Sequence, residues 1–339
     1  MKMSTMIKYI MLVVFAIHTL NGMGQTENQP PVEKTVPLKG EGLSAFLRRN
    51  NLLTKEQVDL FMQLNKDKLG EKQMLKAETE YLIPTTIKEF FEPLFGTDYA
   101  KYTIENEQLQ GACFYLVSGH GGPDPGAIGT YEGHQLCEDE FAYDIMLRLA
   151  RNLLTRGAKV HIIIQDPDDG IRNDKFLNYD NHETCMGDPI PLDQVQRLKQ
   201  RSDKINELDK QATESYRRSV YLHLDSRNRG KQIDVYFYHF PGSVKGARLS
   251  NTIRETFESK YQQHQPYRGF SGTVTDRNLY VLRATNPPAV FIELGNIQNW
   301  RDQLRFMLEN NRQAVANWLT EGLINDFIKE NTHEQIKTQ

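Results

Sequence analysis

Short apolar runs alternate with long amphipathic stretches from residue 112 onward, and this alternation limits the possible folds more than any other feature of the chain. The runs are ACFYLVS (112–118), KVHIII (159–164), SVYLHL (219–224), IDVYFYH (233–239) and AVFIEL (289–294). Each has the length of a strand and is rich in branched or aromatic residues. Between the first two, Phe141, Ile145, Leu149 and Leu153 recur every four residues, and Gly157 supplies a stop, so 138–157 reads as a helix. Lys245 to about Tyr261 and most of Trp300 to Glu330 read as helices as well, whereas LYVL (279–282) reads as extended. Strands alternating with helices predict an α/β fold, with a mainly parallel twisted sheet and helices on both faces.

A chain of 339 residues has room for one large or two modest domains. Its net charge of −3 gives no bulk attraction to nucleic acid or to anionic membranes, so no nucleic-acid partner is expected. Any substrate has to be read from a site. The first 24 residues carry Lys2 and Lys8, an apolar core from about Ile10 to Leu20, and then small residues. That core falls short of the roughly 20 residues a membrane span needs and reads as a cleaved signal peptide. A secreted chain in a periplasm or an extracellular wall follows, with no integral membrane segment after cleavage. Cys113, Cys137 and Cys185 show no metal-binding spacing. In an oxidising compartment two of them could pair, and the sequence does not say which.

The remaining organisation follows from composition. Residues 25–35, ending QPPVEKT, read as a linker. Residues 36–84 read as a small β-α-α-β module, with helical spacing at Leu43, Phe46 and Leu47 and again at Val58, Phe61 and Met62. Residues 85–110 read as a connector, 111–330 as the main domain and 331–339 as a polar tail. The stretch 166–200 is turn-rich and breaks the α/β rhythm. A long irregular segment inside a domain is commonly functional, so it is expected to be a lid or a partner-binding element.

Ligands of open α/β sheets bind at the carboxyl ends of the strands. His120 follows the first strand, in GHGGPDPGAIG (119–129). His223 ends the third run, Glu293 ends AVFIEL, and Glu138 opens the helix after the His120 loop. His120, Glu138 and His223 would make a His₂Glu zinc set with an open position. Glu293 would then serve as a general base, and the whole would hydrolyse an amide. Each residue also has a plainer explanation. A histidine at a strand end is usually just hydrogen-bonded, and Glu138 could be a helix N-terminal acid. Glu293 in an apolar strand is the hardest to dismiss, because a buried carboxylate needs a partner. The glycines around His120 also suggest a phosphate loop, but neither GxxxxGK[ST] nor GxGxxG is present.

These motifs, taken together, resemble the zinc-dependent N-acetylmuramoyl-L-alanine amidase family, which cleaves peptidoglycan. GHGGPDPGAIG is similar to the family's first motif, which makes His120 a zinc ligand by resemblance. EDEFAYDIMLRLA (138–150) resembles its Glu-led helix and implies that Glu138 is the second ligand. VYLHLDS (220–226) resembles its third-ligand strand and points to His223. PAVFIELGNIQN (288–299) resembles its last motif and makes Glu293 the catalytic acid/base. Arg201 and Asn206 resemble a more structural helix. Leu224, Asp225, Gln165, Asp166, Asn296 and Gln298 depart from the family pattern, which leaves substrate preference open. Residues 36–84 resemble a diverged LysM glycan-binding module at Gly40, Leu43, Ser44, Ala45, Arg48, Leu64, Asn65 and Leu82-Ile83-Pro84.

The resemblance implies Zn²⁺ as cofactor, peptidoglycan strands and stem peptides as partners, and hydrolysis of the amide between the lactyl group of N-acetylmuramic acid and L-alanine. Such chemistry serves wall remodelling or daughter-cell separation. An activator protein acting on 166–200 is a possible further partner. Two rival readings stand: a non-catalytic wall-binding protein that kept the fold, and a zinc peptidase acting on stem peptides. His134 is a competing ligand by position. His182 and Cys185 could approach the metal from the irregular stretch, although a solvated loop is the plainer reading. His161 and His239 alternate within strands and read as structural.

Overall fold

A strand that sequence periodicity did not mark closes the N-terminal unit. In this computed structural model, residues 32–50, 52, 55–84, 89–226 and 232–337 are described. The expected signal peptide lies outside them. Val32–Thr35 (β1) pairs antiparallel with Tyr81–Pro84 (β2), Val32 opposite Pro84 and Thr35 opposite Tyr81. So β1 occupies the stretch read as linker, and the small unit begins earlier than residue 36. VEKT contains a single apolar residue, so its pairing partner reveals it and its own pattern does not.

Between the two strands lie helices Leu43–Arg49 (α1) and Lys55–Leu64 (α2). Their apolar faces close on Phe46, Phe61 and Tyr81, all fully buried, with Phe46 and Tyr81 edge to face at 5.7 Å. Asn65, 1% exposed, joins the end of α2 to β2. Its amide donates to the carbonyls of Phe61 and Leu82, and its carbonyl accepts from Leu82 N at 2.8 Å. The β-α-α-β order is therefore present, and a buried amide makes good hydrogen bonds on both of its atoms.

The described residues from 89 onward form a second unit. The expected connector is in part a hairpin, Glu89–Phe91 (β3) with Lys101–Thr103 (β4), where Phe90 stacks on Tyr102 at 5.4 Å. Then come Ala112–Ser118 (β5), the pair Ile128–Tyr131 (β6) and His134–Cys137 (β7), helix Glu138–Leu154 (α3) and Lys159–Ile162 (β8). Two-residue strands Ile164–Gln165 (β9), Thr184–Cys185 (β10) and Asp188–Pro189 (β11) make a small sheet. Helix Gln194–Gln211 (α4) is capped by Asp193, whose carboxylate accepts from Gln196 N. It is followed by Tyr216–Asp225 (β12), Tyr236–His239 (β13) and helix Val244–His264 (α5). The chain ends with Thr273–Asp276 (β14), helix Tyr280–Ala284 (α6), Ala289–Asn296 (β15), Trp300–Met307 (α7) and Glu309–Lys337 (α8).

The main sheet has the order β14-β13-β15-β12-β5-β8. Strands β8, β5, β12 and β15 are parallel, and β13 runs antiparallel to β15. Alternate residues feed opposite layers, as the two-residue period of a strand requires. Phe114, Leu116, Val220, Leu222, Val290 and Ile292 meet the layer of α3, α5 and α8. Tyr115, Val117, Tyr221 and Phe291 face the layer of α4 and α6, with Ile205, Val281 and Leu282. Both faces are covered, which is why these strands read as continuous apolar runs.

Three expectations change. LYVL is mostly the start of helix α6, not extended: Arg283 N donates to Leu279 O, and the Thr285 hydroxyl to Val281 O. A four-residue apolar run does not separate strand from buried helix. The 166–200 stretch carries two short strands, β10 and β11, and the start of α4, so it is less irregular than its composition suggests. Residues 331–337 continue α8 and are not a separate tail. Cys113, Cys137 and Cys185 are buried and unpaired with one another.

Two buried charge clusters pin α8. Asp326, fully buried, receives Tyr216, Arg218 and Arg248, and Glu330 beside it receives Arg218, Arg248 and Lys245. Burial opposes the charge of Glu330, but these cations outweigh it and hold the carboxyl down at about 2. Farther along the same helix, Asp144 of α3 faces Arg312 of α8.

Candidate metal centre

The parallel pairing of β5, β12 and β15 sets the site. His223 lies opposite Glu293 in the register of β12 and β15, and Gly119, just after β5, donates to Leu222 O at 2.7 Å. The carboxyl-terminal halves of three neighbouring strands thus deliver His120, His223 and Glu293 to one side of the sheet, with β15 running on three residues past Glu293 to Asn296. Odd-numbered residues of β12 and β15 face the α4–α6 layer, so His223 and Glu293 share a face with Tyr221 and Phe291. Glu138 reaches the same side as the first residue of α3, where the helix dipole favours an acid.

One ligand atom from each of His120, Glu138 and His223 lies within 4.8 Å of the others. Glu138 is 3% exposed and fully engaged. Its Oε1 faces His223 Nδ1 at 2.8 Å and accepts from Leu224 N, while Oε2 faces His120 Nε2 at 3.2 Å and accepts from Ala127 N. Burial opposes the carboxylate, yet the two imidazoles hold Glu138 well below the usual carboxylate range. Burial likewise opposes a charged His120, but Glu138 and Asp124 outweigh it and raise His120 to about 10. His223 moves the other way: burial lowers it, and Glu138 offsets this only in part. The His223 ring stacks on Phe291 at 4.2 Å, which fixes its plane.

A second ring of residues orients this group. Asp124 Oδ2 accepts from His120 Nδ1 at 2.9 Å and from Arg197 at 2.6 Å. That contact puts the proton on Nδ1 and leaves Nε2 turned toward Glu138. The His120 hydrogen bond lowers the Asp124 carboxyl to about 2. Arg201, 3% exposed, donates to the carbonyls of Ser118 and His120. Its grip matters because His120 sits at φ 59, a left-handed conformation that a non-glycine residue adopts at a cost. Arg201 was expected to be structural, and it is so at the site itself. Asn206 bonds Ala284 O and Asn286 N, away from the histidines.

Two glycines near His120, Gly119 and Gly126, leave no spare room. A Cβ on Gly119 would collide with the His223 ring, and one on Gly126 would come 2.7 Å from both Glu138 Oε2 and His120 Cδ2. Gly119→Ala is therefore expected to push the His223 ring aside. It should weaken binding of a metal ion at this cluster about 10- to 100-fold, the usual scale for disturbing the support of a ligand, while unfolding stays cooperative. Competition with a chromogenic chelator measures the first and thermal melting the second.

A cavity of about 480 Å³ opens over the group. Glu293, 9% exposed, lines it together with Arg197, Arg201, Tyr280, Phe291 and the three clustered residues. Its volume falls in the range of clefts that hold a small-molecule-sized group. The other candidates lie elsewhere. His134 stacks on Phe176 at 3.9 Å. His182 pairs with Asp168 at 3.0 Å and is mostly exposed. Cys185 is buried in β10 against Ile164. His161 stacks on Tyr115, and His239 donates to Phe240 O. Sequence reasoning did not single out Asp124, Arg197 or Phe291. Asp124 stands four residues after His120, and that spacing was the available signal.

Comparison with known proteins follows the same lines. Residues 115–325 match the family described as N-acetylmuramoyl-L-alanine amidase. Over 229 residues the chain is 25% identical to the probable cell wall amidase LytH of Staphylococcus aureus, covering 66% of this chain and 61% of that protein. It thus spans less than two thirds of the length of the curated relatives it matches. Among solved structures, the N-acetylmuramoyl-L-alanine amidase AmiC2 of Nostoc punctiforme aligns with a TM-score of 0.46 at 21% identity, over 65% of this chain and 99% of that one. The CwlD amidase of Clostridioides difficile, solved in complex with the GerS lipoprotein, aligns with a TM-score of 0.47 at 20% identity, over 63% and 98%.

Proposed function

The chain belongs to the N-acetylmuramoyl-L-alanine amidase family, and from that premise we propose that it is a zinc hydrolase that cuts the amide between the lactyl group of N-acetylmuramic acid and the L-alanine of the stem peptide. The observation that carries this reading is the convergence of His120, Glu138 and His223 at a cavity that Glu293 also lines.

The donor set fits zinc. Two imidazoles and a carboxylate are N/O donors, three in number, as in catalytic zinc sites that keep a position open. The surrounding contacts fit as well: Asp124 fixes the His120 tautomer, and two backbone N–H groups hold Glu138. His120, Glu138 and His223 would hold the metal. When bound, zinc supplies Lewis acidity, which polarises a carbonyl and lowers the pKa of water. Glu293 takes the proton of the attacking water and returns it to the L-alanine nitrogen as the amide breaks. Arg201 and Asp124 keep His120 in place while this happens. Phe291 and Tyr280 supply apolar wall for the substrate.

The N-terminal unit serves, in this reading, as a LysM-like glycan holder that raises the effective concentration of the enzyme on its substrate. Its strand-helix-helix-strand order supports this. The segment 166–200 is where an activator would act, because it delivers Arg197 to Asp124 and so to His120. An activator that crosslinks only outside this segment would contradict that assignment. The wall substrate implies a periplasmic or extracellular location, which cell fractionation checks. Among the described residues no helix is long and apolar enough to cross a membrane.

Metal removal tests the proposal. Purified sacculi lose turbidity when treated with the zinc-loaded chain, chelation stops the loss, and stoichiometric zinc restores it. Undiminished digestion by chain shown by elemental analysis to be metal-free would sink the zinc reading.

A further inference from the structure

Three carboxylates meet in the interior beside the site just described, and the amidase reading makes no use of them. Asp139 and Glu140 stand in the first turn of α3, and Glu183 comes from the segment before β10. Their exposures are 1%, 2% and 6%, and one oxygen from each lies within 4.8 Å of the others. Two of them are partly engaged: Glu183 Oε2 accepts from Gly122 N at 2.7 Å, and Glu140 accepts from Asp180 N and pairs with Arg172 at 2.9 Å. Asp139 is different. Its Oδ1 accepts from Glu140 N, but its buried Oδ2 has no hydrogen-bond partner among the described residues.

A buried carboxylate oxygen with nothing to accept from is costly, and like charges in contact add to that cost. Arg172 does not balance the group, because it is shared between Glu140 and Asp169. We propose that Asp139, Glu140 and Glu183 hold a hard divalent cation at a site separate from His120, Glu138 and His223. The donors are all oxygen, which selects calcium, magnesium or manganese over zinc. Such an ion joins two parts of the chain. Asp139 and Glu140 directly follow Glu138, and Glu183 reaches Gly122, two residues past His120. The cation therefore ties the 166–200 segment to the start of α3 and to the His120 loop.

The test uses the full zinc-loaded chain, passed over a chelating resin under conditions that keep one zinc per chain. It is titrated separately with calcium, magnesium and manganese chlorides, followed by calorimetry, thermal melting and elemental analysis after gel filtration. One added cation per chain is expected, with a melting temperature that climbs with the logarithm of its concentration above saturation. Asp139→Asn preserves shape and removes the charge. It should weaken binding by more than the roughly 10- to 100-fold that losing an outer support costs. Failure of all three ions to bind, or binding untouched by both Asp139→Asn and Glu183→Gln, overturns the proposal. Should a variant not fold, the stoichiometry and melting shift of the unaltered chain still decide. A chain that digests peptidoglycan yet takes up no second cation overturns this inference alone and leaves the amidase reading standing.

Discussion

Glu293→Gln is expected to lower turnover of peptidoglycan by about 100- to 10,000-fold, the usual contribution of a positioned acid/base, while zinc content stays at one per chain. The two halves of that expectation come from different observations. Glu293 lies across from His223 in neighbouring parallel strands and lines the same cavity, so it can reach a substrate bound there. It is not one of the three residues whose donor atoms cluster, so the metal does not depend on it. Glutamine keeps the size and one acceptor oxygen, but its amide cannot take a proton from water. The loss should fall on kcat, with KM little changed, because the proton moves only as the reaction proceeds. Loss of zinc along with activity would make Glu293 a ligand. Unchanged turnover would remove it from the chemistry.

Asp144→Ala is expected to cost about 3–5 kcal/mol of folding stability, the range for removing one partner of a buried ion pair. Asp144 is fully buried and serves three groups. Its Oδ2 accepts from Arg148 at 2.8 Å and from Arg312 at 2.6 Å, and its Oδ1 from Arg172 N at 2.8 Å. Arg312 is also fully buried, and Arg148 nearly so. Alanine leaves two guanidiniums in the interior without their anion. Their remaining bonds go to carbonyls, such as those of Phe306, Met307 and Arg172, which satisfy N–H groups but carry no full charge. The consequence reaches the site, because Asp144 fastens α3 to α8 and α3 begins with Glu138. Urea unfolding measures the loss. A cost below about 1 kcal/mol, the level of an exposed pair, would show that the cluster does not hold the two helices together.

Much of the centre was legible because its residues stand in or just after the carboxyl-terminal halves of strands. ACFYLVS and AVFIEL show as runs of strand length, so the positions of His120 and Glu293 at the carboxyl edge follow from pattern alone. Glu138 was legible through the helix it opens. The supporting residues were harder. Arg197 comes from a helix 73 residues from Asp124, and nothing local marks that contact. Phe291 reads as one more apolar strand residue until β12 and β15 are seen side by side. The missed strand VEKT and the misread LYVL have the same origin. Each is too short for periodicity to fix its state, and each takes its form from a tertiary partner, β2 in one case and α4 in the other. The 166–200 segment misled by composition, since its glycines, prolines and aspartates mark turns but not the two-residue strands between them.

The products of digestion test the account's central claim most directly. Purified peptidoglycan is treated with the zinc-loaded chain and the fragments are identified by mass spectrometry. The account predicts stem peptides with free L-alanine amino termini, and glycan strands of undiminished length carrying free lactyl carboxylates. Cleavage between stem-peptide residues with the lactyl amide intact would contradict it in favour of a peptidase, and no cleavage by chain that holds its zinc would make the protein a wall binder.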